Sequence, residues 1–318
     1  MNKSIKNTEA PLLSYAQMYY AKLKAKEFGI SVEEYLSMRN SKGAKKPSTV
    51  TPAKAAEPIS FDKVTKLSDL NVNEDMLKCN LTGQSIDKLF SYDGGIPVGT
   101  NIMCTGDPGV GKTTILLHTL ASLQLMNKDL KCLFVCGEMS KLQMFKYTQR
   151  FPLFGNVETI FPSEFYDYSI KDVMEQILDK GYDYVLIDSM AEIIDMIKDD
   201  EKMSQASAEK WLIDLCTKHN QSENNDKKYT TFLLIQQVTK QGVFTGSNKM
   251  KHLMDCHMEM RKESERDGGG TYIEFSKNRN GLAGIKFSFQ LNNDSIYYGE
   301  IVDETEEREV TPFEIVVA

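Results

Sequence analysis

From about Asp62 onward, short apolar runs alternate with longer stretches in which apolar residues recur every three or four positions. The runs NIMCTG at 101–106, Lys131 to Cys136, Tyr184 to Asp188 and Thr231 to Gln236 have the length and near-continuous hydrophobicity of strands covered on both faces. Between them, residues 112–127, 140–150, 170–180 and 205–220 carry the helical period and are long enough to cross over between parallel strands. After Gly268–Gly270 the pattern shortens to TYIEFS, GIKFSFQ and SIYYGEI, which predicts antiparallel strands appended to the sheet. The expected fold is α/β, a mostly parallel sheet flanked by helices and closed by C-terminal antiparallel strands.

Upstream the pattern differs. Leu12, Leu13, Tyr15, Ala16, Tyr19, Tyr20 and Leu23 predict an amphipathic helix over 12–28, and Ser31-Val-Glu-Glu34 has the form of a capping box opening a helix over 31–39. Residues 41–58 lack large apolar side chains apart from Val50 and are rich in Lys, Ala, Pro and Thr, the composition of a flexible linker. The expected organisation is an N-terminal helical segment at 1–40, a linker at 41–60, the α/β core at 61–298 and an acidic tail at 299–318. Two short helices bury too little apolar surface to stand alone. They serve either as a contact module for a protein partner or another subunit, or as a packing extension of the core.

With 41% hydrophobic and 26% charged residues over 318 positions, the chain has the composition of a soluble globular protein. Six cysteines without a CxxC pair and four histidines without ligand spacing argue against a disulfide framework or a structural zinc, and a reducing compartment fits. Neither an apolar signal core nor a run of about 18 apolar residues is present, so no membrane is expected and the location is cytoplasmic. The net charge of −7 is unevenly spread: residues 1–63 hold eleven Lys/Arg against six Asp/Glu, and residues 300–318 hold one against seven. An acidic tail of this kind solubilises, or mimics DNA and restrains unproductive binding.

The chemistry concentrates at Gly106-Asp107-Pro108-Gly109-Val110-Gly111-Lys112-Thr113, followed by Thr114, which fits G-x-x-x-x-G-K-[ST] between a predicted strand and a predicted helix. Glycines let backbone N–H groups turn toward phosphate oxygens, and the helix start adds its positive dipole end. Lys112 supplies charge, and Thr113 a hydroxyl for Mg2+. ATP and Mg2+ are the expected ligands. Tyr184 to Asp188 is a buried-strand pattern ending in a carboxylate, which suits Asp188 to the metal side; its alternative use is to cap the next helix. Glu138 follows another apolar run, where a carboxylate can take a proton from attacking water; its alternative is a solvated residue at the helix start near Ser140.

Together these elements resemble the RecA-like ATPases, specifically the bacterial RadA/Sms proteins and next the DnaB-type replicative helicases, over roughly 78–298. LTGQSIDKLFSYDGGIPVGTNIMCTGDPGVGKTT looks like the family's entry segment, and FVCGEMS is similar to the segment bearing its catalytic glutamate, which implies that role for Glu138. IQQVTKQGVFTGSNKMKHLMD resembles a stretch that implies a γ-phosphate sensor at Gln237. Lys277-Asn-Arg-Asn-Gly281 is close to the KNRFG motif of RadA and the K-x-R-N-G of DnaB-type proteins. The resemblance implies that Lys277 and Arg279 act in trans, on the γ-phosphate held by the adjacent subunit. Asn-Gly between β-patterned segments also reads as a hairpin turn. The RadA four-cysteine zinc segment and Lon-like domain are missing from the sequence, the form expected of a stripped motor core encoded by a phage or mobile element.

In the resembled proteins, loops after two core strands contact single-stranded DNA; here they map to about 190–204 and 239–252. The second carries Lys240, Phe244, Lys249 and Lys251, cations with one aromatic for phosphate tracking and base stacking, while the first is acidic and suits DNA poorly. The resemblance therefore implies a DNA-stimulated, oligomeric ATPase of recombination, repair or branch migration, with a hexameric ring as the expected form and helicase activity within its range. A filament-forming strand-exchange recombinase is one alternative. An ATP-dependent protein-assembly switch that binds no DNA is another.

Overall fold

The computed structural model describes residues 25, 30–40, 64–69, 73–237, 248–263 and 269–301, with the backbone alone at 38–40, 67, 248–249 and 300–301. The chain divides into two units, Met1–Leu70 and Asn71–Ala318. In the first, helix α1 (Val32–Asn40) opens with the reciprocal box its sequence predicts. The Glu34 N–H donates to Ser31 Oγ at 3.1 Å and the Ser31 N–H to Glu34 Oε2 at 2.9 Å, satisfying two N–H groups that a helix start leaves orphaned. The expected helix over 12–28, the linker and the tail beyond residue 301 lie outside the described residues.

The second unit begins with a small antiparallel pair, β1 (Cys79–Asn80) and β2 (Ile96–Pro97), around a short helix α2 (Asp87–Phe90). Then follow β3 (Asn101–Gly106), α3 (Lys112–Met126), β4 (Cys132–Cys136), α4 (Lys141–Arg150), β5 (Glu158–Ile160), α5 (Ile170–Leu178) and β6 (Tyr184–Asp188). After these come α6 (Met190–Glu201), α7 (Gln205–Asn220), β7 (Thr231–Ile235), α8 (Asn248–Leu253), β8 (Cys256–Lys262), β9 (Thr271–Asn278), β10 (Lys286–Leu291) and β11 (Ile296–Ile301).

Nine of these strands form one sheet in the order β11-β10-β9-β8-β3-β7-β6-β4-β5. From β5 to β8 the neighbours run parallel; β8, β9, β10 and β11 then pair antiparallel. The four runs read as doubly covered strands are β3, β4, β6 and β7, every residue of which is buried. Helices cover both faces. On one, α3 sends Ile115, Leu116, Leu120 and Leu123 onto Cys104, Phe134 and Leu186. On the other, α6 and α7 bring Ile193, Ile194, Ile197, Leu212 and Cys216 onto Met103, Val185 and Phe232. Each such side chain fully buried contributes about 1.5–3 kcal/mol. This three-layer arrangement is the α/β architecture expected of a RecA-like core, with the antiparallel strands at the predicted end. Among the described residues no helix is long and apolar enough to cross a membrane.

Four local expectations are corrected. Residues 190–201, expected as a loop, form α6, because Ser189 accepts the Glu192 N–H as a helix cap and Ile193, Ile194 and Ile197 bury one helical face. Part of the second expected loop is helix α8. β11 runs three residues into the segment assigned to the tail. The Asn280–Gly281 pair is not a two-residue hairpin turn: residues 279–285 link β9 to β10. There Asn278 donates to the carbonyls of Leu89 and Phe90 at 3.0 and 3.3 Å and anchors the loop to α2.

Candidate nucleotide site

Parallel strands place their carboxyl ends at one edge of the sheet, and a crevice outside that edge is where such folds bind ligands. Here β3, β4, β6 and β7 deliver Gly106, Glu138, Asp188 and Gln237 to that edge. They line one cavity of about 540 Å³ together with Pro108, Gly109, Gly111, Lys112, Thr113 and Thr114. Its size suits a nucleotide.

The loop from Gly106 to Gly111 is held by its neighbours. The Asp107 N–H donates to the Met260 carbonyl at 3.1 Å, and the Asp107 carboxylate accepts the Lys262 N–H at 3.0 Å. Asp107 therefore spends its side chain on β8, and Val110 keeps its side chain in the core. Gly111 precedes α3 with φ of 102° and no side-chain cap, so the first N–H groups of α3 are left to an anionic ligand rather than to a neighbouring hydroxyl. Lys112 Nζ lies over the same loop, donating to the carbonyls of Gly106 at 2.9 Å and Asp107 at 3.1 Å.

Thr113 Oγ1 donates to Asp188 Oδ2 at 2.5 Å, joining the two expected metal-side residues. Asp188 is 2% exposed, and burial pushes its carboxyl up to about 6. The Thr113 hydrogen bond opposes that rise, the nearby Glu138 charge adds to it, and Lys112 opposes it. One carboxylate and one hydroxyl beside a phosphate cradle fit Mg2+, which takes few protein ligands and completes its shell with phosphate and water. Asp188 does not cap the following helix, a task performed by Ser189.

Glu138 is likewise outside the cap of α4, where Ser140 and Gln143 form the box. Its Oε1 accepts the amide of Gln237 at 2.5 Å, so the expected base and the expected sensor are bonded side by side. The cavity also has a wall that sequence reasoning missed: Tyr147 and Arg150, one turn apart on α4, and Leu291 at the end of β10. Arg150 is fixed by donating from Nε to the Asn293 carbonyl at 2.7 Å, and its guanidinium lies 5.8 Å from the Tyr147 ring centroid. The i,i+3 spacing of Tyr147 and Arg150 was readable; their meeting with Leu291 was not.

Lys277 and Arg279 are at the opposite edge of the sheet, beside Asp255 and the amino end of β3. β3 advances about 3.3 Å per residue, so some 17 Å of strand separates them from the loop after Gly106. Of the expected DNA contacts, Lys240 and Phe244 lie outside the described residues, Lys249 is described in backbone only, and Lys251 is half-buried in α8.

No family model matches the chain. It is similar to DNA repair protein RadA of Chlamydia muridarum, 32% identical over 200 residues that cover 62% of this chain and 40% of that protein. It is also similar to DNA repair protein RadA of Rickettsia prowazekii, 24% identical over 231 residues covering 70% and 48% respectively. The chain thus spans less than half the length of these two relatives. Among solved structures it is similar to a KaiC-like protein of the archaeon Pyrococcus horikoshii, with a TM-score of 0.53 over 70% of this chain and 99% of that one. At 15% identity that likeness concerns the fold alone.

Proposed function

We propose that this chain, with a RecA-like P-loop core similar to that of RadA, is a DNA-stimulated ATPase of DNA repair or recombination whose site is completed by a second copy of the chain. The observation that carries the reading is the convergence of Lys112, Thr113, Asp188, Glu138 and Gln237 on one cavity at the carboxyl edge of the sheet. Phosphates lie against the N–H groups of the 106–111 loop and the start of α3. Lys112 neutralises the β- and γ-phosphates. Thr113 and Asp188 are the residues that would hold Mg2+, which would supply further positive charge there. Glu138 accepts the proton of the attacking water, and Gln237, its hydrogen-bond partner, registers the γ-phosphate. The nucleobase rests against Tyr147, Arg150 and Leu291, flat and apolar surfaces suited to a π face.

Among the described residues lining the cavity, the cations are Lys112 and Arg150, and Arg150 is tied to the 292–293 turn. Among the described residues, then, Lys112 is the cavity cation free to face the γ-phosphate, and Arg279, at the far edge of the sheet, cannot bend back to join it. A carboxyl edge meeting the amino edge of the next copy is a heterologous contact, which closes into a ring or continues as a filament. The DNA partner and the repair role rest on the likeness to RadA and on the lysines of the 239–252 segment. The test is ATP turnover per chain as a function of chain concentration, with Lys112→Ala as blank. Turnover that rises with concentration to a plateau supports the shared site, and turnover independent of concentration in a sedimenting monomer rules it out.

A further inference from the structure

The turn from β10 to β11 is fastened to both sides of the nucleotide cavity. On one side Leu291 rests on Gly111, the residue that leads into α3: a Cβ at Gly111 would stand 2.1 Å from Leu291 Cδ1 and 3.5 Å from its Cγ. On the other, Arg150 of α4 donates from Nε to the Asn293 carbonyl at 2.7 Å and from Nη2 to the Asn292 carbonyl at 3.5 Å. The Asn292 N–H closes the turn itself by donating to the Ser295 carbonyl at 2.9 Å. Residues 291–293 therefore span from the phosphate loop to the wall formed by Tyr147 and Arg150.

Neither fastening is strong. Leu291 presents hydrocarbon to a loop whose N–H groups need an acceptor, which a methyl group cannot be. Arg150, Asn292 and Asn293 are exposed, so water competes for their hydrogen bonds. Leu291 also has somewhere to go. Together with Gly109 it lines a second cavity of about 640 Å³, whose walls include Val110, Phe289, Tyr297 and Tyr298. Those surfaces can take the leucine side chain when it leaves Gly111, so the movement does not force it into water.

We propose that residues 291–293 are a strap over the phosphate cradle, latched by Arg150, and that nucleotide enters only when Leu291 leaves Gly111 for the neighbouring cavity. This rests on the reading that ATP occupies the cavity above the phosphate loop. Once the phosphates are seated, the strap closes again and Leu291 packs on the nucleobase, so the latch slows exit as well as entry. Arg150 thus acts twice, on the base as part of its wall and on the strap as its latch. Opening breaks the two Arg150 contacts and shifts one leucine, which leaves the open state at about the per cent level. Such a population sets the rate of binding without preventing it.

The experiment is stopped-flow binding of a fluorescent ADP analogue, with Mg2+, to the full chain and to Arg150→Ala and Leu291→Ala. In the parent the observed rate levels off at high probe concentration, at the rate with which the strap opens. Arg150→Ala raises that ceiling about tenfold, the low end of what a hydrogen bond to a charged group is worth. Leu291→Ala removes the ceiling, and its rate climbs in proportion to probe. Arg150 is at the surface, so Arg150→Ala stays folded even where Leu291→Ala loses stability.

The ceiling is the deciding readout, because losing a contact to bound nucleotide speeds dissociation and leaves entry alone. A parent rate that climbs in proportion to probe without levelling off overturns the strap, and so does a ceiling that Arg150→Ala leaves in place. Absence of binding by the parent at any probe concentration removes the nucleotide reading itself, and the inference with it.

Discussion

Two glycines of the phosphate loop separate folding from binding. At Gly106, with φ of 151°, a Cβ would stand 2.0 Å from the Met260 carbonyl oxygen and 2.8 Å from its carbon, both of them backbone. An alanine there forces β3 and β8 apart by about 1 Å, breaking the Asp107-to-Met260 bond for about 1 kcal/mol and adding some 1–3 kcal/mol of backbone strain and 1–3 kcal/mol of overpacking. A loss of about 3–7 kcal/mol is a large part of the 5–15 kcal/mol typical of a domain. At Gly109, with φ of 70°, a Cβ meets nothing within 4 Å, so Gly109→Ala costs only the left-handed conformation, about 1–2 kcal/mol. Gly109 lines the nucleotide cavity, so a methyl group there is expected to crowd the phosphates. Urea melts followed by circular dichroism and equilibrium binding of a fluorescent ATP analogue test the pair. Gly106→Ala should lose most of its urea resistance, whereas Gly109→Ala should stay folded and bind at least tenfold more weakly. Equal stability losses, or tight binding by Gly109→Ala, would refute the reasoning.

Two further outcomes follow from the site and the core. Glu138→Gln keeps the shape and the contact to Gln237 while removing the base, so kcat for ATP should fall by about 10²–10⁴ with nucleotide binding retained; stopped-time hydrolysis and equilibrium binding check it. His118, His219 and His257 are each held below the ordinary histidine value of 6.5, by burial first. The folded state therefore resists protons that the unfolded chain accepts, and their contribution to stability is full above pH 6.5 and is lost as the pH falls below it. His219 is fully buried with neither ring nitrogen hydrogen-bonded among the described residues, so in His219→Leu the decline of Tm between pH 7 and 5 should be shallower than in the parent. Parallel declines would show that the ring does not titrate against folding.

Sequence pattern revealed what is local. The phosphate loop, Asp188 and Glu138 each sit at the end of an apolar run whose length marks a central strand, so their common edge follows from the parallel topology. β8 was not legible: CHMEMRK buries Cys256, Met258 and Met260 on one face, but methionines and charges have weak strand preference, and the alternation is short. α6 was misread because the resemblance maps a loop onto 190–204, while Ile193, Ile194 and Ile197 keep helical spacing. Asp255 looks like an ordinary turn residue in sequence. Its partners, Asn101 and Arg279, come together only when β8 inserts between β3 and β9.

The central claim, a nucleotide site whose turnover responds to DNA, is tested most directly by steady-state ATP hydrolysis with and without single-stranded DNA across a salt series, with Lys112→Ala as blank. Stimulation that fades as salt rises is the predicted result, because contacts between lysines and phosphates release counterions and weaken with ionic strength. Hydrolysis indifferent to DNA at every salt concentration would contradict it and point instead to an ATP-driven switch for a protein partner.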